Sequence, residues 1–224
     1  MKLILIILLS IYTLQSNAQK GLSKMLTTNE INEIFDDGLK SYNNIAYPIY
    51  RVYAYNEDNK RSLLVLTESV DEVHGTDTLS KNIKAFIFKQ VENEYTKVLE
   101  INDNILPELN EEKSIFFWPK YISIEKVGKA IVPIIVYGSL AMNNYMDGRM
   151  KIIIAYNKQK IVIRHQNSTF DGERVTQVDK AFYSLPASIQ RIVQNKIVAM
   201  EKAEKVILAY NWQQAMRVKS TTIK

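Results

Sequence analysis

Apolar and polar residues alternate with a period of two over most of residues 47–166, a pattern typical of half-buried β-strands. Short polar turns separate these runs, so neighbouring strands are expected to pair in antiparallel fashion. Pro119 and Pro133 have no amide hydrogen. We expect Pro119 to mark a break between two strands, and Pro133 to mark an edge or the first pairing position of its strand. The predicted strands are residues 47–55, 62–67, 83–91, 95–101, 114–118, 121–124 and 131–137, and the two arms of a hairpin within 149–166.

Two stretches have helical spacing instead. The first predicted helix starts at Thr27 or Thr28, either of which can serve as its N-cap. The second covers about residues 185–212, with Ser184 as its cap and Pro186 in its first turn, and it carries one apolar stripe. We expect the residues beyond it to be frayed. The predicted fold is α+β, an antiparallel meander of about eight strands with both helices packed on one face.

The hairpin within residues 149–166 decides where its polar side chains point. If Tyr156 lies opposite Ile161, then Ile152 lies opposite His165. His165 is thereby predicted to share the apolar face of the hairpin, whereas Arg164 lies on the opposite face together with Lys151 and Gln166.

Residues 1–18 have the pattern of a signal peptide: Lys2, an apolar run, and small residues before Gln19. The run is about a dozen residues long, which disfavours an uncleaved membrane anchor, and we expect no transmembrane span after cleavage. The chain has no cysteine, so it has neither a lipid-attachment site nor disulfides. We therefore predict a bacterial protein exported to the periplasm or cell surface, with residues 19–224 forming a single domain.

The charge pattern disfavours nucleic acid as a partner. The net charge is +5, of which the segment 1–18 contributes one positive charge, and basic residues are interspersed with acidic ones. The seven glycines form no phosphate-binding loop, and no established nucleophile or zinc motif is present. We expect no cofactor and no metal ion.

Several segments resemble a family of small exported bacterial proteins known as surface polysaccharide biosynthesis proteins. They are residues 117–121 (FWPKY), 133–138 (PIIVYG), 147–149 (DGR), 163–166 (IRHQ) and 176–183 (TQVDKAFY). The resemblance covers about residues 115–190, and it implies a role in making surface glycan without supplying catalytic residues. Such proteins have an Asp-rich turn of calcium-loop type where this chain has Glu125 to Ala130. Lys126 and Lys129 would place positive charge at ligand positions, so we expect no bound ion here.

Candidate site residues cluster around the 149–166 hairpin and the loops beside it. His165 is the candidate general base of an enzyme, with Asp171 and Glu173 as a possible acidic pair, although a structural histidine and an exposed acidic turn explain the same residues. The predicted ligand-binding residues are Tyr145, Asp147, Arg149, Arg164, His165 and Arg174.

We expect a non-enzymatic, exported protein that assists the biosynthesis or export of cell-surface polysaccharide by binding glycan or an envelope assembly protein. One alternative is a glycan-acting enzyme that uses His165 or the acidic pair. Another is a protein–protein interaction module of the cell envelope that binds through a sheet edge near Pro133. Both site-based hypotheses require the loops at 143–148 and 169–174 to close over one face of the hairpin.

Overall fold

The structure of the chain, a computed structural model, describes residues 22–106, 112–141 and 147–224. The predicted signal peptide and Tyr145 lie outside these residues. The strands, numbered in chain order, are β1 Ser23–Met25, β2 Ile49–Glu57, β3 Lys60–Glu68, β4 Glu72–His74, β5 Asp77–Leu79, β6 Asn82–Val91, β7 Glu94–Asn104, β8 Glu112–Phe117, β9 Ser123–Val127, β10 Ala130–Ala141, β11 Arg149–Tyr156, β12 Gln159–Gln166, β13 Val175–Val178 and β14 Thr222–Ile223. The helices are α1 Thr28–Ile34, α2 Asp37–Tyr42, α3 Ala187–Lys202 and α4 Trp212–Arg217, and short 3-10 helices lie at Pro119–Tyr121, Asp171–Glu173 and Lys180–Ser184.

The fold is α+β with antiparallel strand pairing, but the prediction of one eight-stranded meander is wrong. The strands form three sheets. Sheet 1 has the order β1-β2-β3-β6-β7, and sheet 2 has the order β14-β13-β12-β11-β10-β8, with β9 also paired to β10. β4 and β5 form a separate hairpin. Strand periodicity identified most strands, but it carries no information on which hairpins share a sheet.

Three apolar clusters show how the layers stack. One lies between the two sheets and includes Leu64 and Ile101 of sheet 1 and Ile153 of sheet 2. A second lies between the outer face of sheet 1 and the N-terminal helices, and a third lies between the outer face of sheet 2 and the C-terminal helices. The layer order is therefore helices, sheet 1, sheet 2, helices. The expectation that both terminal helices cover one face of one sheet is wrong.

The predicted N-terminal helix is in fact two short helices. Thr27 and Glu30 form a capping box that starts α1, in which the Thr27 side chain accepts from the Glu30 amide. Asp36 then accepts a 2.7 Å hydrogen bond from the Leu39 amide and starts α2. A second cap within the same apolar repeat ends one helix and starts another, which periodicity alone does not reveal.

The C-terminal region also differs from the expectation of one long helix. α3 begins after Pro186, without a capping side chain, and ends at Lys202, where Glu204 takes a left-handed conformation with φ of 56°. Residues beyond α4 are not frayed, because β14 pairs with β13 and Ile223 is buried. The apolar residues after Lys202 thus belong to a separate segment that packs on sheet 2.

Proline positions match the strand breaks, with one correction. Pro119 lies in the 3-10 helix between β8 and β9, which both pair with β10. Pro133 is inside β10 opposite Ile124 of β9, and the β10–β11 ladder begins one residue later, at Ile134. Pro133 is buried and flanked by strands, so the predicted open edge near it is absent.

Candidate functional site

The β11–β12 hairpin places its side chains on the predicted faces through a different register. Its turn is Asn157–Lys158, with φ of 49° and 62°, so Ile152 lies opposite Ile163 and Met150 lies opposite His165. The register is shifted by two residues from the expected one. Since side chains alternate with a period of two, each residue keeps its predicted face.

His165 lies on the helix-covered face and is buried, with 2% of its surface exposed. Its Nδ1 is 2.8 Å from the Thr176 hydroxyl, and its Nε2 is 2.8 Å from Asn167 Oδ1 and 3.2 Å from the Ile207 carbonyl. Because both oxygens near Nε2 are acceptors, the ring is the Nε2–H tautomer and Nδ1 accepts from Thr176. Both ring nitrogens are therefore engaged.

The environment of His165 keeps the ring neutral. Burial lowers the pKa of His165 to about 4, although its hydrogen bonds to Asn167 and Ile207 favour the charged form. Asn167 Oδ1 also accepts from the Ile207 amide at 2.9 Å. His165 and Asn167 together fasten the segment after α3 to the end of β12, which is a structural role.

Arg149 lies on the opposite face, where sheet 2 meets sheet 1. Its Nε donates to Glu112 Oε1 at 2.7 Å and its Nη1 to Asp103 Oδ1 at 3.2 Å, while Nη2 donates to the Asn104 carbonyl. The Glu112 side chain is fully buried and also accepts from Ser139 Oγ at 2.5 Å. Arg149 therefore joins β7, β8 and β11.

Lys151 extends this ionic cluster towards solvent. Its ammonium is 2.6 Å from Asp103 Oδ2, and its side chain is 22% exposed. Burial acts to raise the pKa of Asp103, but the hydrogen bond from Lys151 and the charge of Arg149 outweigh it, so the pKa lies below its usual value. Burial and the charge of Asp103 raise the pKa of the neighbouring Tyr137.

Arg164 is more accessible than Arg149 and Lys151, with 43% of its side chain exposed. Its Nη1 is 2.9 Å from Asp179 Oδ1, and the other oxygen of that carboxylate accepts from the Val162 amide at 2.8 Å. Asp179 thereby holds the guanidinium in place on the strand surface.

The loop after β12 is organised by Arg174. Its Nε donates to the Ser168 carbonyl at 2.7 Å, and its Nη1 is 2.5 Å from Asp171 Oδ1. The Asp171 side chain is 90% exposed, and Glu173 accepts from Ser168 Oγ at 2.9 Å. The two acids therefore lie on a solvent-exposed 3-10 turn and not across a cleft, which does not favour a glycosidase pair.

A cavity of about 200 Å³ lies on the strand ends of β11, β12 and β13. Three predicted site residues, Arg149, Arg164 and His165, contribute to its lining, but the side chain of His165 lies on the opposite, helix-covered face. Asp147, Asp171, Glu173 and Arg174 are not part of its lining. The backbone carbonyl of Asp147 accepts from the Gln166 side chain at 2.8 Å, so residue 147 borders the site through its main chain. The full lining is Arg149, Met150, Lys151, Arg164, His165, Gln166, Val175 and Gln177.

Sequence reasoning missed the acids that organise this face. Asp103 lies two residues after the buried Ile101 on β7, so alternation already points it towards the space between the sheets. No alternation of apolar and polar residues indicated that Glu112 is buried, because Glu112 directly follows a polar connection between strands. Gln177 could have been found from the strand pattern at β13, where it alternates with the buried Thr176 and Val178.

Within the described ranges there is no cluster of three or more His, Cys, Asp or Glu side chains suited to a metal ion. No helix among the described residues is both long and apolar enough to cross a bilayer. Comparison of the chain with protein-family models, with curated proteins and with solved structures finds no match. The resemblance to surface polysaccharide biosynthesis proteins stays a prediction.

Proposed function

We propose that the mature chain is an exported, non-enzymatic protein that assists the biosynthesis or export of cell-surface polysaccharide by binding glycan on the end of β11, β12 and β13. One observation carries the proposal. Arg149, Lys151 and Arg164 line a single cavity together with Gln166 and Gln177. The export signal predicted in residues 1–18 and the resemblance of residues 115–190 support the location and the process.

The three cations are better arranged to donate hydrogen bonds than to attract a highly charged ligand. Each one is paired with a carboxylate: Arg149 with Asp103 and Glu112, Lys151 with Asp103, and Arg164 with Asp179. The acids fix the donors in position before a ligand arrives, which lowers the entropy lost on binding. Their charges also balance the cations, so the surface suits the hydroxyl groups of a glycan better than a highly charged polymer.

The same geometry gives little support to the enzyme alternative. A general base needs a nitrogen lone pair directed at the substrate, and His165 Nδ1 already accepts from Thr176. Asp171 and Glu173 lie on an exposed turn outside the cavity. The binding hypothesis requires neither a free base nor a pair of opposed carboxyls.

The test is isothermal titration of the mature protein with surface polysaccharide purified from the bacterium that produces it. Arg164→Ala and Gln177→Ala are expected to weaken binding about tenfold, since each removes donors from the cavity rim. Arg191→Ala is the matched control, because Arg191 is exposed on α3 away from this face. The proposal fails if there is no heat of binding, or if all three variants bind like the wild type. Release of reducing ends that His165→Gln abolishes would favour the enzyme alternative.

A further inference from the structure

A second and larger cavity, of about 590 Å³, lies between β9 and α3. It shares no lining residue with the cavity on β11, β12 and β13. Its volume is in the range of sites that hold small molecules. Its lining includes Lys120, Ser123 and Glu125 on one side and Lys196 of α3 on the other.

Lys196 lines this cavity, and the contact of its ammonium with the described residues is an ion pair without a hydrogen bond. Its side chain is 15% exposed, and the nearest acid in the described part of the chain is Glu125, with Nζ to Oε1 at 4.0 Å. That distance is an ion pair without a hydrogen bond. Burial lowers the pKa of Lys196, and the charge of Glu125 offsets this only in part. A buried ammonium has three donors, so such a site favours an added acceptor.

Ser123 supplies a second unmatched polar group on the same wall. Its Oγ is buried and makes no hydrogen bond to any described residue. Ser123 and Glu125 are two residues apart on β9, so they share the face of the strand opposite to Ile124, which packs between the sheets. Ser123, Glu125 and Lys196 therefore all belong to the lining of this cavity.

We propose that the β9–α3 cavity binds a small ligand through an oxyanion, a carboxylate or a phosphate, held by the Lys196 ammonium. An oxyanion supplies several acceptor lone pairs and a negative charge, which a water molecule does not. Lys120 also lines the cavity, so the lining carries two cations against one acid. This inference does not depend on the glycan-binding proposal, because the two cavities are separate.

Calorimetric titration of the mature protein with glucose, glucuronate and glucose 6-phosphate tests the inference. The three probes share a sugar ring and differ in the group at carbon 6. One or both anionic probes are expected to bind at least tenfold more tightly than glucose, and the tighter of the two identifies a carboxylate or a phosphate as the preferred group.

Variants assign the binding to this cavity. Lys196→Met keeps the aliphatic length of the side chain and removes its charge, so it should remain folded and lose at least tenfold in affinity for the anionic probe. Lys202→Met, at an exposed position in the last turn of α3, is the control and should bind like the wild type. Equal binding of glucose and the anions, unchanged affinity in Lys196→Met, or no binding of any probe would overturn the inference.

Discussion

The buried His165 makes the stability of the fold depend on pH in a defined direction. Its pKa in the folded protein is about 4, against 6.5 for an unperturbed histidine. A lowered folded pKa means that the unfolded chain binds the proton more tightly. The contribution of neutral His165 is therefore fully present above about pH 6.5, and it is lost as the pH falls towards 4.

The size of the effect follows from the shift. A pKa difference of about 2.5 units, at roughly 1.4 kcal/mol per unit, corresponds to about 3 kcal/mol of unfolding free energy lost between neutral pH and pH 4. That is a large part of the roughly 5–15 kcal/mol that stabilises a domain. His165→Gln removes the titrating ring, so its unfolding free energy should fall less steeply with pH over the same window.

The assay is urea denaturation of the chain without residues 1–18 at intervals from pH 7.5 to 4, followed by fluorescence of the two tryptophans. At pH 7 we expect His165→Gln to be less stable by roughly 1–3 kcal/mol, because the hydrogen bonds to Thr176 and Asn167 are disrupted. The gap to the wild type should then narrow as the pH falls. His74→Gln, at the exposed histidine of the β4–β5 hairpin, is the control.

Parallel stability curves for the wild type and His165→Gln would refute this account. So would a ring of His165 that titrates near pH 6.5 in NMR spectra, since an accessible and protonatable histidine would restore the general-base hypothesis.

Three further predictions concern the scaffold around the candidate site. Glu112→Gln leaves the Arg149 guanidinium buried with one carboxylate fewer, so it should lower the unfolding free energy measured by urea denaturation by about 3–5 kcal/mol. Glu94→Gln, at an exposed position, is the control and should leave the unfolding free energy unchanged. Equal denaturation midpoints for the two variants would contradict the role of the ionic cluster. Gly138→Ala would place its Cβ 2.3 Å from Cζ2 of Trp118 and 2.7 Å from the Arg149 carbonyl oxygen, so it should lower the unfolding free energy by about 1–3 kcal/mol. Gly172→Ala, whose Cβ meets no atom within 4 Å, is the control and should have the melting temperature of the wild type. Deleting residues 218–224 removes β14 and the buried Ile223 and should lower the unfolding free energy by roughly 1.5–3 kcal/mol; an unchanged denaturation midpoint would mean that this strand does not pair.

The strands of this chain were largely predictable, and their arrangement was not. Alternation and turn residues identified the hairpins β2–β3 and β6–β7, because local polarity decides which residues can be half-buried. Assignment to two stacked sheets depends on long-range packing, such as that of Ile101 against Ile153, for which a single sequence has no signal.

The faces of the site were predicted better than its contacts. The period of two placed His165 and Arg164 on opposite faces even though the register was shifted by two residues. The partners Asp103 and Glu112 lie 46 and 37 residues away from Arg149, so no local pattern linked them to it. An added Cβ at Gly148 would lie 2.3 Å from the Ser139 carbonyl oxygen, so the residue before β11 passes close to β10, which no local pattern revealed.

The central proposal is that glycan binds on the ends of β11, β12 and β13. NMR titration of the ¹⁵N-labelled chain without residues 1–18 with purified surface polysaccharide tests it most directly. Saturable shifts in the backbone amides of Arg164, Gln166 and Gln177, with none in the β4–β5 hairpin, are the predicted result. Absence of shifts, or shifts confined to other parts of the surface, would contradict the claim.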